Sequence, residues 1–211
     1  MKTIFTLAMI VLINSIGYSQ CPPSISYAGM TYRTVVIGKQ CWLKENLNVG
    51  KMIKFGDEPT TNETLEKYCQ DNDSSNCNKY GGLYQWEQAM QYSTAEKAKG
   101  ICPTGWHLPA KSEMEALEAA VDKNAYALES KGKMFWGEGT NTSGFSALPG
   151  GFRSHLNSID EGFSNLGSAA YLWTSTATDG KGAWGIYIDG RDVKYTVSEK
   201  DRGFSIRCVK D

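Results

Sequence analysis

The chain opens with Lys2 and an apolar stretch from Ile4 to Ile13 that only Thr6 interrupts. A membrane-spanning helix needs about 20 apolar residues, so this run is too short for one and suits the core of a secretory signal. Gly17 and Ser19 supply small residues around a cleavage point after Ser19, predicting a leader over residues 1–19 and a mature chain over 20–211. Acylation at Cys21 is a competing reading, disfavoured by Gln20 immediately before it. No long apolar run recurs, so the mature chain is expected to lack a transmembrane span.

The rhythm then becomes that of strands. Tyr32 to Ile37, a turn at Gly38-Lys39-Gln40, and Cys41-Trp42-Leu43 read as a β-hairpin. Polar, loop-like sequence follows up to Tyr80, including Gln70–Asn76, which has no apolar side chain. Trp86, Ala89 and Met90 mark a short helix from about Leu83 to Gln91, and Ser93 to Lys99 is expected to add a helical turn. The clearest helix follows Pro109, with Met114, Leu117 and Val121 on one face and a capping box placed at Ser112 and Glu115; Asn124 is its expected stop. Residues 127–169 are rich in Gly, Ser and Asn with isolated aromatic anchors, which predicts a folded but loop-dominated region. Strands return at Tyr171–Thr174, at Trp184/Ile186/Ile188, at Val193/Tyr195/Val197, and at Phe204/Ile206/Cys208. Strands after a helix, without a βαβ rhythm, indicate an α+β domain.

Composition narrows the function classes. A length of 211 residues suits one domain with its own core. The 22 basic and 23 acidic residues nearly cancel, so no broad field attracts nucleic acid. Six cysteines in an exported chain read as disulfides, with 15 pairings open. Cys69 and Cys77 bracket the polar Gln70–Asn76 segment and suit a short clamp. Cys208 is paired with Cys102, tying the terminal strand to the middle of the chain, and Cys21 with Cys41 by elimination. No C-x-x-C spacing is present and there are only two histidines, which disfavours zinc.

Few residues suggest chemistry. His107, in Gly105-Trp106-His107-Leu108-Pro109, reads as a turn histidine whose ring bonds backbone; catalysis would require a nucleophile or acid beside it. His155 stands in loop sequence between Ser154 and Leu156. The pairs Asp57/Glu58, Asp71/Asp73 and Asp160/Glu161 could contribute to a structural Ca²⁺ site, but none has EF-hand spacing and no other cofactor is expected. Aromatic residues are the stronger signal, since exposed rings stack on sugars or anchor protein partners. Trp136, Trp173 and Tyr187 are the candidates, with His155 beside them; alternation places Tyr187 opposite Trp184, Ile186 and Ile188. Asn141-Thr142-Ser143 matches a glycosylation sequon.

Six stretches together resemble one family: YRTVVIGKQCWLKENL (32–47), GLYQWEQAM (82–90), CPTGWHLPAKSEMEAL (102–117), ALPGGF (147–152), AYLWTS (170–175) and SIRCV (205–209). They resemble the Fibrobacter succinogenes major paralogous domain, found on exported proteins of Bacteroidetes and Fibrobacteres. The family is in turn similar to the C-type-lectin-like and formylglycine-generating-enzyme fold group. The resemblance implies a C-type-lectin-like α+β fold with a small antiparallel sheet, short helices and long structured loops. It also supports Cys102 with Cys208. The reactive cysteine arrangement of formylglycine-generating enzymes is absent, as are the Glu-Pro-Asn and Trp-Asn-Asp signatures of calcium-dependent lectins; Glu58-Pro59-Thr60 only superficially echoes the first. The expectation is a secreted or cell-surface, non-enzymatic recognition or adhesion domain for a glycan or surface protein. The alternatives are a structural surface or matrix component, and an extracellular hydrolase of polysaccharide or protein.

Overall fold

Residues 24–43 form a three-stranded meander whose turns explain its register. A computed structural model describes residues 21–60, 64–134, 137–154, 162–178 and 180–211; the expected leader over residues 1–19, Trp136, His155 and the Asp160/Glu161 pair lie outside them. Strands β1 (Ser24–Tyr27) and β2 (Met30–Ile37) are joined through Ala28 and Gly29, both at positive φ, which matches the right-handed strand twist in a two-residue turn. β3 (Gln40–Leu43) pairs with β2 so that Val35 faces Trp42.

The supposed loop up to Tyr80 holds more structure than its composition predicts. β4 (Lys51–Ile53) and β5 (Glu66–Tyr68) pair in parallel. A short 3₁₀ turn at Gln70–Asn72 leads into α1 (Ser74–Tyr80), capped by Asp73, whose carboxylate accepts the Ser75 N–H at 2.8 Å. No apolar stripe announced α1; the cap and the Cys69–Cys77 bridge hold it in place. α2 (Trp86–Met90) is shorter than expected, because Leu83 and Tyr84 instead bridge to Tyr68 and Phe204. Ser93 to Lys99 is not helical: Gln91, Tyr92 and Lys97 adopt left-handed φ, which breaks helical repetition.

β6 (Trp106–His107) precedes α3 (Lys111–Ala119), which buries Met114 and Leu117. Its cap corrects the expected one. Glu113, not Glu115, reaches back to accept the Ala110 N–H at 2.9 Å, and the Lys111 N–H is taken at 2.9 Å by the hydroxyl of Thr176. α3 ends at Ala119, and Asn124 instead precedes α4 (Ala125–Leu128).

The region expected to be loop-dominated contains β7 (Gly132–Met134), β8 (Gly137–Gly139), β9 (Gly150–Arg153) and β10 (Phe163–Leu166). The long strands β11 (Ala170–Ala177), β12 (Gly182–Ile188) and β13 (Val193–Glu199) follow as an antiparallel meander. The last strand, β14, is only Val209–Lys210; Phe204 and Ser205 make isolated bridges instead.

Two five-stranded sheets result, ordered β1-β2-β3-β14-β6 and β10-β9-β11-β12-β13. Val209 is inserted between Trp42 and His107, so the chain's end completes the first sheet. Successive strand residues face opposite ways. Accordingly Trp42 and Leu172 pack with α3 in one cluster, while their neighbours Leu43 and Trp173 pack with Trp86, Trp106 and Phe204 in another. Both faces are therefore covered. The fold is mixed α+β, with bridges Cys21–Cys41, Cys69–Cys77 and Cys102–Cys208. No helix among the described residues is long and apolar enough to cross a membrane.

Candidate functional site

A cleft of about 440 Å³ opens where three segments meet at one end of the second sheet. Gln85 and Glu87 enter from the start of α2, Gly180 and Lys181 from the β11–β12 turn, and Glu199 to Asp201 from the exit of β13. Gly180 has φ +105°, a conformation L side chains rarely adopt, so this turn calls for glycine. The segments are tied to one another. The Trp86 N–H donates to the Lys200 carbonyl at 2.8 Å and the Lys200 N–H to the Lys181 carbonyl at 3.1 Å. Beneath them the fully buried Arg153 donates through Nη1 to the Asp201 carbonyl at 2.8 Å and through Nη2 to the Phe55 carbonyl at 2.9 Å. Its guanidinium lies 4.3 Å from the Tyr68 ring centroid and 3.6 Å from Glu58.

Charges of both signs line the opening. Lys200 pairs with Glu87 at 3.0 Å while its ammonium sits 4.2 Å over the buried Trp86 ring. Gln85 donates to Glu58 at 2.8 Å. The side chains of Lys181 and Asp201 have no partner among the described residues.

Neither of the described ligand candidates, Trp173 and Tyr187, lines the cleft. Trp173 is wholly buried, stacked on Phe204 with centroids 4.2 Å apart, and its indole N–H donates to the Tyr84 carbonyl at 2.9 Å. It is a core residue, and this corrects its assignment to a binding surface. Tyr187 does lie opposite Ile186 and Ile188, but that face is covered as well: its neighbour Gly185 approaches Phe204. The half-buried Tyr187 ring stacks on Tyr171 at 5.4 Å, with Lys194 5.4 Å from its centroid.

His107 also differs from expectation. Its ring bonds carboxylates rather than turn backbone: Nδ1 meets Asp211 at 2.6 Å and Nε2 meets Glu113 at 3.0 Å. Lys97 pairs with Glu113 at 3.1 Å. Burial opposes a charged ring, but the bonds to Glu113 and Asp211 outweigh it and raise the His107 pKa. Burial would raise the Glu113 carboxyl too, yet His107, the Ala110 N–H and Lys97 hold it down at about 2. Both ring nitrogens are thus committed to carboxylates. A hydrolytic His needs one nitrogen free for its nucleophile.

The described acidic pairs serve local structure. Asp57 accepts the Lys54 N–H at 3.1 Å and Asp73 caps α1. Among the described residues, no three or more His, Cys, Asp or Glu side chains gather as a metal cluster.

Sequence reasoning missed Gln85, Lys181 and Asp201, whose only signal was a polar residue beside a turn or a helix start.

A family model described as the Fibrobacter succinogenes major domain matches residues 35–210. No curated protein and no solved structure matches the chain. The chain belongs to the Fibrobacter succinogenes major domain family.

Proposed function

We propose that this chain is an exported, non-enzymatic recognition or adhesion domain of C-type-lectin-like architecture, and that it binds its ligand in the cleft beside Trp86. The reading rests chiefly on that cleft, where three sequence-distant segments tied by backbone hydrogen bonds present polar groups toward one opening. A largely preformed concavity with a few convergent polar groups is the ordinary form of a ligand site. The architecture is supported by small antiparallel sheets, short helices, long connections, and first and last strands shared by one sheet. Export is supported by the apolar run behind Lys2 and by three disulfides, which persist in oxidising compartments.

The hydrolase alternative has one observation in its favour, the pairing of His107 with two acids. Commitment of both ring nitrogens weighs against it. Screening the purified domain against immobilised glycans and surface-protein extracts tests recognition. Saturable binding without turnover of the bound material supports it; turnover of a polysaccharide or protein substrate overturns it in favour of the hydrolase.

A further inference from the structure

We propose that the outer edge of β13 is a self-association surface, and that two copies of this chain pair through it as antiparallel strands about a two-fold axis at Thr196. This stands independently of what the cleft binds. β13 closes one end of its five-stranded sheet, and among the described residues it pairs with β12 alone. Two hydrogen bonds fix which of its groups face out. At the turn the Asp189 N–H donates to the Asp192 carbonyl at 3.4 Å, and at the far end the Lys200 N–H donates to the Lys181 carbonyl at 3.1 Å. Both pairs continue the register that sets Tyr187 against Lys194 and Gly185 against Thr196. In an antiparallel ladder, residues bonded to the neighbouring strand alternate with residues whose N–H and carbonyl point away from it. Lys194, Thr196 and Ser198 therefore bond to β12, while Val193, Tyr195 and Val197 turn their backbone groups outward. Among the described residues no backbone group meets these outward ones; only the Thr196 hydroxyl approaches, 3.4 Å from the Val197 carbonyl.

The edge is long and undefended. The other strands that end the two sheets, β1, β6 and β10, run to four residues at most, whereas β13 runs to seven. Proteins that keep an edge solitary shorten it, bulge it, or set proline or charge along it. β13 has no proline and an unbroken register, and its Lys194 is drawn to its own turn by Asp189 at 2.7 Å and Asp192 at 3.8 Å. Val197 is 49% exposed, and α3 packs over β11 and β12, inboard of this edge. The strand also suits its own copy. Centred on Thr196, all seven residues pair: Tyr195 meets Val197, Val193 meets Glu199 and Lys194 meets Ser198 of the second copy. No like charges oppose each other, and the exposed valine gains an aromatic cross-strand neighbour. Beyond the strand the same register sets Asp192 toward Lys200 and Arg191 toward Asp201, opposite charges at both ends. Sliding by two residues either way, the smallest step that keeps outward groups facing each other, shortens the pairing to five residues. The contact is isologous and closes at two copies. A two-strand junction is small, so the dimer is expected to be weak, with a dissociation constant on the order of 10–100 µM.

The test is sedimentation velocity on the disulfide-intact protein from about 5 to about 500 µM, with thermal unfolding of every variant measured at the lowest concentration. Val197→Pro removes an outward N–H and leaves the bonds to β12 in place. Thr196→Lys and Thr196→Glu each set like charges face to face on the two-fold axis, whereas an equimolar mixture of the two sets opposite charges there. The expected result is a reversible monomer–dimer equilibrium in the wild type. Each substitution weakens it at least tenfold at an unchanged melting temperature, and mixing the two Thr196 variants restores it. A wild type that stays monomeric over the whole range overturns the proposal; slow hydrogen exchange at the Tyr195 and Val197 amides would then assign the edge to another segment of the same chain. A dimer that Val197→Pro leaves intact lies on another surface and overturns it equally, as does growth beyond two copies. A mixture that associates no better than its separate components overturns the axis at Thr196. If Val197→Pro lowers the melting temperature, the Thr196 variants decide, because recovery on mixing cannot come from misfolded chains.

Discussion

Arg207 and Asn46 lie 161 positions apart and meet twice in the closed interior: Nε and Nη2 both donate to the Asn46 Oδ1, at 3.0 and 2.7 Å. Arg207 is fully buried, and its remaining nitrogen donates to the Phe145 carbonyl. No carboxylate among the described residues pairs with it; burial lowers its pKa to about 9, opposed by the charge of Glu45, so it stays charged at neutral pH. One amide thus holds an unneutralised cation and fastens the chain's last segment to the stretch after β3.

Asn46→Leu is expected to strand that charge and cost about 3 kcal/mol, the scale of a broken buried charged contact. Adding Arg207→Met should recover part of the loss, because no buried cation then lacks a partner. Urea unfolding of the four proteins in a double-mutant cycle checks this. Strict additivity would contradict it.

Glu129 gives stability a pH dependence of the opposite kind to a salt bridge. It is fully buried, and among the described residues its carboxylate has no close partner beyond the nearby Gly190 backbone. Burial pushes its pKa up to about 7, with the Gly190 backbone opposing and Asp189 adding to the rise. Between about 4.5, where an unfolded Glu releases its proton, and about 7, the folded chain binds more protons, so stability falls as pH rises. The full effect is ~3 kcal/mol. Glu129→Gln should flatten this slope and exceed wild type in melting temperature at pH 8 but not at pH 4.

The His107 network loses stability at both ends of the pH range, with the sign of Glu129 at the high end and the opposite sign at the low end. The raised His107 pKa means its contribution is complete below about 6.5 and fades as pH climbs through the folded value. The Glu113 carboxyl, held at about 2, contributes fully above about 4.5 and is lost as pH falls toward 2. His107→Gln should therefore cost most near pH 5.5, on the order of 1–2 kcal/mol, and less at pH 9. Equal losses at both pH values would count against the ion pairs.

The bridges should rank by loop length. Chain entropy assigns roughly 4.8 kcal/mol to the loop closed by Cys102–Cys208 and roughly 2.6 kcal/mol to that closed by Cys69–Cys77, before strain. Cys102→Ala/Cys208→Ala should thus lower the unfolding midpoint further than Cys69→Ala/Cys77→Ala. The reverse order would place the anchorage of the tail elsewhere.

Strands were legible wherever neighbours and alternation agreed, as in Thr34-Val35-Val36-Ile37 and Trp184 to Ile188. α3 was legible from Met114 and Leu117, but its cap was not, because Thr176 lies 65 residues away. Trp173 misled because alternation assigns faces without saying which are open, and here both faces are covered. The cleft was illegible for a similar reason. Gln85, Lys181 and Asp201 are ordinary polar residues until the long meander returns β13 alongside α2.

Backbone amide chemical shifts, followed while a ligand retained in the glycan and surface-protein screen is titrated into the labelled domain, bear most directly on recognition in the cleft. The account predicts that the largest changes fall together on Gln85, Glu87, Lys181 and Asp201 and saturate with one dissociation constant. Changes centred instead on the Tyr171–Tyr187 stack or on the groove beside Val36 and Val121, with those four amides unmoved, would contradict it.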